Sequence, residues 1–145
     1  RRSWQTLCRS NCSAMPNHAN ALAETKVIQA IRNLFPKEAE RIDEFVASSK
    51  GDKTTTYIWL EHFSQFTTDA IKRGDFENAE KHLKLLSNLI LNADETTNRF
   101  IDVAYVESLM RDIKDKKLKR QGWKLIPENL KALYIAMWGK QDFMK

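Results

Sequence analysis

The chain has 145 residues, of which 42% are hydrophobic and 30% charged, and its formal net charge is +5. This balance is typical of a globular domain and excludes the disordered class, and the length suits one domain. Four glycines and three prolines are too few for the frequent turns of an all-β sandwich or barrel. All apolar runs are shorter than the roughly 20 residues of a transmembrane helix, so we expect no membrane span.

The positive charge is concentrated in two places. Residues 1–19 carry three arginines and no acid, and residues 111–124 carry seven basic side chains against two acidic ones. The remainder of the chain is slightly acidic. We therefore expect a nearly neutral protein with one basic spot, rather than a generally basic nucleic-acid binder.

Residues 1–19 lack sustained periodicity and are interpreted as a flexible or non-native tail, before a single helical domain at 20–145. Met15 is one candidate for the natural start, and a short Arg- and Ser-rich targeting peptide is the alternative. Cys8 and Cys12 have no second Cys/His pair at zinc-finger spacing, so we expect no metal site. A body without cysteine fits a reducing compartment and predicts a cytoplasmic location.

Apolar residues recur at 3–4 spacing from Asn20 onward and predict four helices in succession. The first ends before Pro36, and the second ends in the polar loop 48–52. The third runs from about Thr55 to Arg73. The fourth covers Phe76 to Ile90 and forms an antiparallel hairpin with the third.

A fifth helix is expected after Asp94 and should be the most buried, because its apolar residues point in nearly all directions. We expect it to continue to about Lys117, where its lysines would face the negative end of its own dipole. Gly122 should break the pattern, and Pro127 should open a sixth helix that Gly139 ends. The predicted fold is therefore an all-α, single-domain bundle of about six helices, with antiparallel helical hairpins and no sheet.

Motifs that carry known chemistry are missing from the chain. The four glycines are isolated, no His-Glu-x-x-His or Glu-x-x-His occurs, and no Gly-x-Ser-x-Gly is present. His62 and His82 are expected to be exposed or at an edge. We therefore predict a protein that is not an enzyme, with no catalytic residue, cofactor or metal.

Asp102 is the most unusual single residue, because it is a carboxylate inside the apolar run 100–106. Burial requires it to reach a cation, a backbone donor or a water-filled site. We interpret it as a structural buried polar group, and the alternative is an acid in a catalytic cleft. Glu107 is expected at the surface or rim.

The basic segment 111–124 supplies the candidate interaction residues. They are Lys114, Lys116, Lys117, Lys119, Arg120 and Trp123. An aromatic residue among Lys and Arg can combine base stacking with phosphate contacts. Alternatively, the lysines form a docking patch for an acidic protein and Trp123 is a core anchor. Any aromatic side chain left exposed would mark a binding face.

Three segments of the C-terminal half stand out together: Phe100-Ile-Asp-Val-Ala-Tyr-Val-Glu-Ser-Leu109, Gly122-Trp-Lys-Leu-Ile-Pro-Glu-Asn-Leu-Lys-Ala-Leu-Tyr134, and Trp138-Gly139. With these segments the chain resembles a family of small bacterial helical domains of unknown function. The resemblance covers about residues 60–139, and the N-terminal tail departs from it. The resemblance implies a cytoplasmic, non-catalytic domain. Uncharacterised small helical proteins of this kind include immunity partners of bacterial toxins, so the resemblance is also compatible with a toxin-neutralising role.

The expected function is that of a non-enzymatic helical protein-interaction domain, of the immunity type that binds and neutralises a toxin. The alternative is a nucleic-acid-binding regulator that uses residues 111–124. The expected partner is another protein, and the chain leaves the oligomeric state open.

Overall fold

The computed structural model describes residues 18–47 and 55–144, and in these ranges the chain is all-α, without a strand. The helices are α1 (His18–Leu34), α2 (Pro36–Ala47), α3 (Thr55–Lys72), α4 (Phe76–Leu91), α5 (Glu95–Ile101), α6 (Lys116–Leu125) and α7 (Glu128–Trp138). A π-helical turn spans Asp102–Val106, and a 3-10 turn spans Asp142–Met144. The predicted fold class is confirmed. The loop predicted at 48–52, Cys8 and Cys12 lie outside the described residues.

The helix ends follow local rules that the sequence displays. Asp75, Asp94 and Asp115 each cap a helix, because each carboxylate accepts a backbone N–H from the first turn that follows. Gly74 and Gly139 adopt positive φ angles of 78° and 77°, which a side chain rarely tolerates. The predicted bounds of the first four helices are therefore close to those observed.

Helix α3 lies at the centre of the bundle. It contacts α1, α2, α4, α6 and the π-helical turn. Its buried face includes Leu60, Phe63 and Ile71, which join Leu83 of α4 and Tyr105 of the π-helical turn in one hydrophobic core. Each helix in the described part of the chain falls short of the length and apolar character that crossing a membrane needs.

The predicted continuous fifth helix is wrong. After Ile101 the backbone widens into the π-helical turn, where Glu107 N–H donates to Asp102 O at 3.1 Å. A series of tight turns follows, and Met110 has a positive φ of 58°. The chain resumes α-helical geometry only at Lys116. This break turns the lysine-rich segment into the start of a new helix.

Two hydroxyl groups on α3 explain why the chain breaks there. Ser64 Oγ donates to Tyr105 O at 2.7 Å, and Thr68 Oγ1 accepts Met110 N–H at 2.9 Å. Both side chains are fully buried. They satisfy backbone groups that irregular geometry would otherwise leave without partners in the core, where such groups are costly.

The prediction that Gly122 breaks the helical pattern is wrong, because Gly122 lies inside α6. A Cβ atom at this position would lie 3.0 Å from side-chain atoms of Ile71 and Met110. Gly122 therefore permits close packing of α6 on the core.

Candidate functional site

The exposed face of α6 is the strongest candidate for a binding surface. Lys116, Lys117, Arg120 and Lys124 are all exposed, and we call these four residues the basic face. Positions four apart lie on the same side of a helix, so three of the cations form a row along α6 with Lys117 beside it. Lys114, also exposed, precedes the helix.

The cations of the basic face lie together on one helix and share a lack of ion-pair partners among the described residues. Within the described ranges, no carboxylate forms an ion pair with any of the four. The two acids of the segment are already engaged: Asp115 caps α6, and Asp112 pairs with Lys72 at 3.0 Å. Elsewhere in the chain, the ion pairs include Arg32–Asp43, Arg73–Asp75, Lys81–Glu77, Lys84–Glu80, Arg99–Glu95 and Lys131–Glu128. The basic face is therefore a concentration of positive charge without an ion-pair partner in the part of the chain that the structure describes.

The position of this charge is unfavourable for the helix itself. Lys116 and Lys117 occupy the first turn of α6, where the partial positive charge of the helix dipole repels cations. The predicted favourable placement at a helix C-terminus is wrong, because the preceding helix ends at Ile101. The two lysines thus break a local stability rule, and such exceptions are expected at functional positions.

The two remaining candidate interaction residues, Lys119 and Trp123, face the protein interior. The Trp123 side chain is 6% exposed, and its ring packs edge-on against Tyr134 and Phe143 at centroid distances of 5.5 and 5.7 Å. Lys119 is half-buried, with Nζ 4.8 Å from the Phe143 ring centroid. Lys131 Nζ lies 5.3 Å from the Trp123 ring centroid. Trp123 is therefore a core anchor and offers no ring for base stacking.

A buried polar chain runs through the core at a second place. Tyr105 Oη lies 2.8 Å from Thr67 Oγ1, which lies 2.9 Å from His82 Nδ1. His82 Nε2 lies 3.4 Å from Glu38 Oε2. We call these four residues the polar chain. It connects α2, α3, α4 and the π-helical turn.

The surroundings of His82 favour its neutral form. Its side chain is 1% exposed and packs against Phe35 and Phe63, each with a ring centroid 4.5 Å away. Burial lowers the pKa of His82, and the Glu38 carboxylate opposes this shift. Burial also raises the pKa of the Tyr105 phenol. When both groups are neutral, the hydrogen bonds of the polar chain form in the core without the cost of burying a charge on either of them.

The expectation that His82 is exposed or at an edge is wrong. It lies beside the apolar stripe of α4, and the α1–α2 pair covers that edge with Phe35. Thr67 was not among the predicted residues, although a threonine on the apolar face of a helix is a sequence signal for a buried hydrogen bond. His62 does lie at an edge: it is half-buried beside Phe45, and burial lowers its pKa.

Asp102 is half-buried at the first position of the π-helical turn. The expectation that Glu107 lies at the surface or rim is wrong, because its side chain is only 4% exposed. A π-helical turn accommodates one extra residue relative to an α-helix, so the side chains after it point in a rotated direction. The expectation for Glu107 rested on a continuous α-helix, whereas Glu107 directly follows the π-helical turn.

Metal binding has no support in the described part of the chain. No group of three or more His, Cys, Asp and Glu side chains there is arranged to hold an ion. Among the large aromatic side chains in the same ranges, Phe45 is 55% exposed and Trp138 is 38% exposed.

Comparison with known proteins identifies one family. Residues 28–139 match the model of the family described as Domain of unknown function (DUF7674). This match confirms the resemblance to a family of domains of unknown function and extends it toward the N-terminus, from about residue 60 to residue 28. No curated protein and no solved structure matches the chain.

Proposed function

Because the chain belongs to the DUF7674 family, whose function is unknown, we propose from its own surface that it is a non-enzymatic helical domain that binds an acidic protein. The contact is made by the basic face. The observation that carries the proposal is the row of exposed cations on α6, which have no ion-pair partner among the described residues.

Two physical arguments support this use of α6. First, cations without internal partners can attract an acidic surface and speed its association. Second, Lys116 and Lys117 oppose the helix dipole, so helix stability gives no reason for their positions. Binding to an anionic partner provides that reason, because the partner's carboxylates would compensate both the side chains and the helix terminus.

We propose the role of a bacterial, cytoplasmic immunity-type protein as the specific form of this function. In this role the domain binds a toxin and covers its active surface. The rigid bundle below α6 supports the role, since Gly122 and Trp123 fix the helix on the core and hold the basic face in one geometry.

Nucleic-acid binding is the alternative, and two observations make it weaker. The burial of Trp123 removes the ring that would have stacked on a base. The cations extend along one helix of only 10 residues, which is short for the series of phosphate contacts that nucleic-acid binding uses. A compact acidic patch on a protein matches the extent of the basic face better than an extended polyanion does.

The proposal is tested with purified protein as bait in an extract of the native host, with the protein encoded beside it as the first candidate partner. A basic-face variant carries Lys116→Glu, Lys117→Glu and Arg120→Glu. A charge-matched control carries Lys26→Glu, Lys37→Glu and Arg41→Glu, three exposed cations on α1 and α2.

We expect the wild type and the control variant to retain the same protein, and the basic-face variant to lose it. Equal retention by all three would contradict the role of the basic face. Labelled single- and double-stranded oligonucleotides test the alternative. Salt-dependent binding that is lost only in the basic-face variant would favour nucleic acid over protein.

A further inference from the structure

Within the polar chain, His82 joins three helices at a place that the proposed binding surface on α6 does not involve. His82 on α4 contacts Glu38 of α2 and Thr67 of α3 at the same time. Its ring also contacts Phe35, at the α1–α2 junction, and Phe63 of α3, and the centroids of these two phenylalanine rings lie 5.6 Å from each other. The imidazole therefore lies at the boundary where the α1–α2 pair packs on the α3–α4 pair, and both sides contact it.

A count of protons fixes the direction of the hydrogen bonds when His82 is neutral. An ionised Glu38 can only accept, so Nε2 must carry the proton and donate to it. Nδ1 is then an acceptor, and the Thr67 hydroxyl donates a hydrogen bond to it. Tyr105 in turn donates to Thr67 Oγ1. Every member of the polar chain has a partner in this arrangement.

A second complete arrangement exists when His82 takes up a proton. Nδ1 then donates to Thr67 Oγ1, so the Thr67 hydroxyl must turn toward another acceptor. Phe63 O lies 3.2 Å from Thr67 Oγ1 and is available for this purpose. Tyr105 keeps its hydrogen bond, because a hydroxyl oxygen accepts two. The rotation of one hydroxyl therefore accommodates the proton without breaking the chain.

We propose that the polar chain is a proton-operated latch, in which uptake of one proton by His82 reverses its hydrogen bond with Thr67 and loosens the packing of the α1–α2 pair on the α3–α4 pair. The cost arises because the new charge enters a site that is 1% exposed and bordered by two phenylalanine rings. Glu38 compensates only partly, since its contact of 3.4 Å is long for a charge-assisted hydrogen bond.

Other charged groups near His82 do not remove this cost. Arg73 and Asp75, in the turn between α3 and α4, act on it with opposite signs and pair with each other at 3.4 Å. The π-helical turn contributes the neutral Tyr105 phenol, and the α1–α2 junction contributes the uncharged Phe35. Acid should therefore weaken the boundary between the two helix pairs first.

The sign of the response follows from linkage. Burial lowers the pKa of His82 below its ordinary value of 6.5. An undocked state, in which His82 is hydrated, therefore binds the proton more tightly than the docked state. Docking is fully stable above pH 6.5 and weakens as the pH falls through the range between the two pKa values. Each unit of difference between these pKa values raises the opening equilibrium by about tenfold.

The test combines NMR titration of the imidazoles with amide hydrogen exchange, corrected for intrinsic rates, across about pH 5 to 8, the range in which histidines titrate. His62, which is not part of the polar chain, serves as the internal reference. We expect His82 to show the Nε2–H tautomer at high pH and to titrate below 6.5. As the pH is lowered, buried amides of α1 and α2 should lose protection from exchange before the amides of α4 do.

Two variants separate the latch from a purely structural contact. His82→Phe retains an aromatic ring and cannot titrate, so protection of α1 and α2 should become independent of pH in this range. Glu38→Gln keeps His82 but removes the compensating charge, so the titration of His82 should move to lower pH. It serves as the test if His82→Phe does not fold. An equal loss of protection in all helices, or a His82 titration that Glu38→Gln leaves unchanged, would overturn the proposal.

Discussion

Thr68→Val tests the explanation of why the fifth helix breaks. The change keeps the size and shape of the side chain but removes the Oγ1 that accepts Met110 N–H at 2.9 Å. Because Thr68 and Met110 are both fully buried, water cannot replace the lost acceptor. Leaving a buried donor without a partner costs about 1–3 kcal/mol. For a chain of this length, each kcal/mol corresponds to a decrease in Tm of about 2–4 °C.

Urea unfolding followed by circular dichroism measures the loss, and hydrogen exchange at the Met110 amide locates it. We expect a lower midpoint with an unchanged slope, together with faster exchange at Met110. Thr68→Ser is the matched control, because it keeps the acceptor and removes one methyl group, worth about 0.8 kcal/mol. If Thr68→Val were as stable as the wild type and kept the Met110 amide protected, the hydroxyl would not be the reason for the break.

Two further predictions concern α6. Replacement of Lys116 and Lys117 by Glu should increase the free energy of unfolding by about 0.3–1 kcal/mol per site at low salt, because acidic side chains stabilise a helix N-terminus. Thermal melting at low and high salt measures this gain. A lower Tm of the variant at low salt would contradict the prediction. Gly122→Ala should gain about 1 kcal/mol of helix propensity but lose about 1–3 kcal/mol, because the new Cβ lies 3.0 Å from Ile71 and Met110 atoms. Urea unfolding should therefore show a net loss of up to about 2 kcal/mol, and a clear gain would show that the core adapts without strain.

The features that the sequence predicts well are those written in local signals. Asp75 caps α4 and Gly74 ends the preceding turn with positive φ, as their residue types indicate. Pro36 opens α2, and Pro127 directly precedes α7. Such signals depend on a few neighbouring residues, so the bounds of most helices can be read before any tertiary contact is known.

The break after Ile101 could not be read in this way. The run that follows is apolar and helix-compatible, and the reason for its change of geometry lies in Ser64 and Thr68 on a different helix. The same applies to His82, whose burial depends on how Phe35 at the α1–α2 junction packs over α4. Local patterns do not contain this information, because the partners lie far apart in the sequence.

The sequence shows where the basic segment lies but not which end of a helix its lysines occupy. The lysines were expected at the end of a long helix, whereas Lys116 and Lys117 begin a new one. This difference changes the interpretation of the segment. Lysines at a helix C-terminus would stabilise their own helix, but lysines at its start need another reason for being there.

The most direct test of the proposed function is the affinity of the captured acidic protein for three forms of the domain, measured by titration calorimetry at two salt concentrations. The forms are the wild type, the triple variant of Lys116, Lys117 and Arg120, and the charge-matched control. We expect the control to bind like the wild type and the triple variant to bind at least tenfold more weakly, a loss of about 1.4 kcal/mol. Added salt should remove most of this difference. Equal affinities for all three forms would rule out the basic face as the contact, because they would place the binding surface elsewhere on the domain.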